Sequence, residues 1–74
     1  MASTYVVDVD LALLRAHRSR VEKRQLSDEE VRNWLKNFGF SPRCDGLYLA
    51  EDRALEILEP SEIIAARAVG HLLH

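Results

Sequence analysis

Leu26-Ser27-Asp28-Glu29-Glu30-Val31-Arg32-Asn33-Trp34-Leu35-Lys36-Asn37-Phe38-Gly39-Phe40 is the stretch on which the fold turns. Ser27 and Glu30 have the spacing of a capping box, in which each side chain accepts from the other residue's backbone N–H at a helix start. Leu26 and Val31 sit at the flanking positions of a hydrophobic staple. Gly39 suits the left-handed residue that ends a helix, and Phe40 then falls where it packs back on Leu35. The pattern predicts a helix over 28–38 with Val31, Trp34, Leu35 and Phe38 as its buried stripe.

Upstream, Tyr5, Val7, Val9 and Leu11 alternate with Val6, Asp8, Asp10 and Ala12, which reads as a half-buried strand over 4–10. Asp10 is placed to cap a helix running to about Arg24, with Leu13, Leu14, His17 and Val21 on one side. Downstream, Ser41-Pro42-Arg43-Cys44-Asp45-Gly46 is a loop by composition. Residues 47–51 and 54–58 are read as a hairpin, because a lone strand leaves its backbone groups unpaired. That turn lacks glycine and asparagine, so a short helix is the alternative. Ile63, Ala66, Val69, Leu72 and Leu73 fit helical spacing, predicting a final helix from Ile63 to about Leu73. The expected fold is α+β: an N-terminal strand plus a hairpin in a small antiparallel sheet, packed on two or three short helices (alternatively, mostly α).

With 74 residues there is room for a single domain, 1–74, and a thin stability margin. Hydrophobic residues at 47% and charged ones at 30% are a globular balance. One cysteine, Cys44, allows no internal disulfide. No secretion signal or bilayer-length apolar run is visible, so the expectation is a cytoplasmic chain with no membrane partner.

The net charge of −2 argues against general affinity for nucleic acid. It conceals an asymmetry. Arg15, Arg18, Arg20, Lys23 and Arg24 cluster in 15–24, whereas Asp45, Glu51, Asp52, Glu56, Glu59 and Glu62 dominate 45–62. The five cations are the candidate interaction residues, for an acidic protein surface or for phosphates, set against the plainer reading of a solvated helix face. No aromatic side chains interleave with them, as single-strand stacking requires. A winged-helix arrangement fails because nothing between Phe40 and Leu47 is long enough for a recognition helix, and the would-be wing carries Glu51 and Asp52.

Other candidates are weaker. His71 and His74 share a helical face but lack a third ligand, unless His17 or Cys44 arrives from elsewhere. Cys44 beside Arg43 has no base or oxyanion motif to make it a nucleophile. Asp8 and Asp10 read as acids on a solvated edge strand that discourage aggregation. Trp34, Phe38, Phe40 and Tyr48 read as core packing. No catalytic, cofactor-binding or metal residue is assigned, and no small-molecule substrate is expected. The functional expectation is a small non-catalytic protein-interaction module or regulatory subunit. A homodimer pairing basic face to acidic face is one version of it. The alternative is a nucleic-acid-binding protein using 15–24.

Overall fold

A computed structural model describes residues 3–69. It has the expected α+β class: a four-stranded antiparallel sheet with helices on one face. The strands are β1 (Thr4–Val9), β2 (Ser41–Pro42), β3 (Tyr48–Glu51) and β4 (Ile63–Ala68), in the order β2-β3-β1-β4. The helices are α1 (Leu11–Glu22), α2 (Asp28–Asn37) and the short α3 (Asp52–Leu55), and a 3-10 turn at Pro60–Glu62 leads into β4. Among the described residues, no helix is long and apolar enough to cross a membrane.

Local chemistry sets the helix ends. Asp10 accepts from the Leu13 N–H at 3.1 Å and caps α1. Glu30 N–H donates to Ser27 Oγ at 3.1 Å and Ser27 N–H to Glu30 Oε1 at 2.9 Å, the expected capping box of α2. At its other end Phe40 N–H donates to the Leu35 carbonyl at 3.0 Å and Gly39 N–H to that of Lys36 at 3.2 Å. This is the Schellman pattern, with Gly39 at φ +95°.

Period two decides which side of the sheet is covered. Val7 and Val9 on β1, with Tyr48 and Ala50 on β3, face the helices and pack with Leu14, Val31, Leu35 and Phe40. Val6, Asp8, Leu49, Ala65 and Arg67 share the opposite face, away from the helices.

Five expectations need correction. Ser41 and Pro42, read as the start of a loop, form the short strand β2 against β3. The 47–58 hairpin is not formed: β3 is a strand, but Asp52–Leu55 is α3, as its helix-forming residues and missing turn glycine allow. β3 pairs instead with β1 and β2. The helix expected from Ile63 is strand β4, because β1 has a second edge to satisfy and β4 satisfies it. The remainder of that expected helix, residues 70–73, lies outside the described residues. β1 is consequently a central strand and not an edge, so Asp8 is no edge guard, and Asp10 is a helix cap. Phe38, expected in the buried stripe, follows the last residue of α2 and is 47% exposed.

Candidate functional site

The basic segment lies along α1 and the turn after it, and much of its charge is already matched. Arg15 Nη1 meets Asp28 Oδ1 at 3.1 Å, and Arg24 meets Glu30 at 2.9 Å and Glu22 at 3.4 Å. The Ser27 N–H and then Arg24 hold the Glu30 carboxyl below the usual carboxylate range, and Glu30 raises Arg24 in turn. Arg20 and Lys23 make no ion pair among the described residues and are exposed. Arg15, Arg20 and Arg24 line one shallow groove. Lys23 also ends α1, at φ +58°.

Arg18 differs from the other four. Its guanidinium lies 4.7 Å from the Trp34 ring centroid, while Nη2 reaches Glu22 at 3.2 Å. Such stacking places a cation on the negative ring face and shields part of it from water. Arg18 Nε is buried with no hydrogen-bond partner.

Trp34 is the hub of an exposed apolar patch. Its ring centroid is 4.9 Å from that of Phe38, at 51° between planes. Val21, Trp34 and Ile57 line one small hollow, and Phe38 and Ile57 line the adjoining groove. Val21 is 65% and Ile57 36% exposed, so three of the four large hydrophobic side chains exposed among the described residues gather here. Sequence reasoning assigned Trp34 and Phe38 to the core. Nothing local marks Phe38 as outward, because its orientation depends on α2 stopping one residue before it.

Beneath this patch lies a pair that sequence reasoning missed. His17 Nδ1 stands 2.6 Å from Glu62 Oε2, and Glu62 Oε1 accepts from the Glu59 N–H at 2.8 Å. Glu62 is buried at 4% exposure. The Asp10 N–H donates to the Glu62 carbonyl at 2.8 Å, which ties the start of α1 to the turn before β4. The two side chains are 45 residues apart in sequence, beyond any local signal. His17, Glu59 and Glu62 place possible ligand atoms within 4.8 Å of one another. Both Glu62 oxygens are already occupied by protein donors, and the Arg18 guanidinium lines the same hollow, where its charge opposes a cation. The arrangement serves as a structural clasp. Cys44 is exposed beside an Arg43–Asp45 ion pair at 3.1 Å. His71 and His74 lie outside the described residues. Against known protein families, curated proteins and solved structures, the chain finds no match.

Proposed function

We propose that this chain is a non-catalytic protein-interaction module or regulatory subunit that offers the patch around Trp34 to a protein partner. The observation carrying this reading is the gathering of Val21, Phe38 and Ile57 about a half-buried tryptophan that carries a stacked arginine. Contiguous exposed apolar surface is disfavoured on a solitary soluble protein and marks interaction sites. Tryptophan and arginine are also the residue types that most often dominate interface energetics. The exposed Cys44 thiol is compatible with a reducing, cytoplasmic setting.

The nucleic-acid reading rests on the groove lined by Arg15, Arg20 and Arg24. Arg15 and Arg24 are already paired with carboxylates, and each pair must break before the cation can neutralise a phosphate. The protein partner is therefore the better-supported reading.

The test uses a partner isolated with the wild-type chain and then purified. Phe38→Ser and Ile57→Ser each weaken binding about 30-fold or more, the effect of losing a hot spot of ~2 kcal/mol. Trp34, the sole tryptophan, shifts its emission to the blue as the partner covers it. Arg20→Glu with Lys23→Glu leaves binding within about threefold, since neither side chain belongs to the patch. Binding unchanged by both serine variants sinks the proposal. Salt-sensitive RNA or DNA retention abolished by the charge reversals would replace it with the alternative.

A further inference from the structure

We propose that β4 is a pairing edge for a second copy of this chain, the two β4 strands running antiparallel about a two-fold axis through Ala66. This goes beyond the interaction-module reading, because it uses a surface separate from the Trp34 patch.

β1 and β4 form an antiparallel ladder. Thr4 accepts from the Val69 N–H at 2.8 Å, and the register pairs Tyr5 with Ala68, Val6 with Arg67, Val7 with Ala66 and Asp8 with Ala65. Hydrogen-bonded and non-hydrogen-bonded pairs alternate along an antiparallel ladder. The backbone groups of Arg67 and Ala65 therefore point toward β1, and those of Ala66 and Ala68 point outward. No other described strand pairs on that side.

The two edges of the sheet are unequal. β2 is two residues long and contains Pro42, which has no N–H to offer. β4 is six residues long, and Ile64, Ala65, Ala66, Arg67 and Ala68 are all exposed. Natural edges are usually guarded by lysine, proline or a strong bulge. Here the irregularity opposite Asp8 and Val9 precedes Ala65, leaving Ala65 to Ala68 in regular pairing. Alanine side chains put nothing in the way of an approaching backbone.

Charge favours a second copy in this register, adding to the diagonal placement of Arg67 and Asp8 on the same face within each chain. With the axis at Ala66, the two Ala66 residues exchange two hydrogen bonds and Arg67 faces the second copy's Ala65. Asp8 of that copy lies in the same row on the open face, one strand beyond the small Ala65. Two strand spacings amount to roughly 10 Å, within the reach of an extended arginine. Two Arg67–Asp8 attractions form by symmetry. A register centred on Arg67 sets two arginines directly opposite each other, which is unfavourable. Among the described residues β4 is the one long edge strand without a partner, so association closes at two copies and does not run on into a fibre.

The experiment is sedimentation of the intact chain under reductant, from about 1 μM to about 1 mM, with amide exchange read at both ends of the range. The expected result is a mass that doubles with concentration. The Ala66 amide then slows at least tenfold, while the Arg67 amide is protected throughout. Ala66→Pro, which removes an outward donor, prevents the doubling while its circular dichroism stays native. If that variant does not fold, exchange in the wild-type chain decides. Arg67→Asp weakens association, and adding Asp8→Arg restores it. A chain monomeric at every concentration overturns the proposal. So does a dimer whose Ala66 amide exchanges as in the monomer, or one abolished by Phe38→Ser and indifferent to Ala66→Pro, which assigns the contact to the Trp34 patch.

Discussion

Replacing Glu62 with alanine should be among the most damaging changes of a polar residue in this chain. The substitution removes an acceptor for His17 and for the Glu59 N–H. Hydrogen bonds to a charged group contribute roughly 1.5–3 kcal/mol each, and a buried donor left unpaired keeps its desolvation cost. The His17 side chain is 23% exposed and finds water, so its share belongs at the low end. The sum is about 3 kcal/mol, against a total of roughly 4–11 kcal/mol for a domain of this size. At ~4–8 °C per kcal/mol, Tm falls by about 12–24 °C. Glu62→Gln keeps one oxygen for the Glu59 N–H and should lose only about half as much. The assay is urea unfolding followed at 222 nm, run also on His17→Ala and the double variant. His17→Ala strands a buried carboxylate, so the double variant should cost about 1–2 kcal/mol less than the sum of the singles. A loss under about 0.5 kcal/mol for Glu62→Ala, or strict additivity, refutes the view that this pair clasps α1 to the turn before β4.

Leu35, fully buried at 0% exposure, should cost about 2–5 kcal/mol on truncation to alanine, read as the urea midpoint at constant slope. Ser27→Ala removes the acceptor for the Glu30 N–H and should cost about 1 kcal/mol, with faster exchange in the first turn of α2. The lowered Glu30 pKa fixes a sign: its stabilisation is present above the ordinary glutamate range and is lost as pH falls through the lower folded value. A carboxyl carbon titration by NMR should place Glu30 below the ordinary glutamate range, and Arg24→Gln should move it upward. Gly39→Ala should cost about 1–2 kcal/mol in thermal unfolding, because Gly39 sits at φ +95° while its new Cβ meets only Ala54 Cβ at 3.8 Å.

What the sequence made legible was local. α2 could be read to within a residue because both of its terminal motifs lie inside one short window, each made of side chain and backbone groups a few positions apart. The alternation in β1 marked it as a strand and distinguished Val7 and Val9 from Asp8. It could not say that β1 is central, because that depends on what arrives at its second edge. The interaction residues divided along the same line. Five clustered cations are plain in the sequence, but Asp28 and Glu30, the partners of Arg15 and Arg24, are brought to them by the α1–α2 turn, where the Leu26 N–H donates to Ser19 Oγ at 3.1 Å. The clustering therefore suggested a free basic face that the folded chain largely lacks.

The error at Ile63–Ala68 and the proposal built on β4 have one physical origin. Alanine is the strongest helix former and a poor strand former, so Ala65, Ala66 and Ala68 locally favour a helix by several tenths of a kcal/mol each. Tertiary pairing overrides this: the ladder with β1 is anchored at one end by the Asp10 N–H on the Glu62 carbonyl and at the other by the Val69 N–H on Thr4. The small side chains that weaken β4 as an isolated strand also leave its outer edge uncovered, since they neither shield its backbone nor repel a neighbour. A helix would have satisfied those backbone groups internally. As a strand, β4 leaves the donors and acceptors of Ala66 and Ala68 to water, and only another strand can take them up in register. Stability of β4 and association of the chain are then coupled, and whatever occupies that edge also steadies the strand.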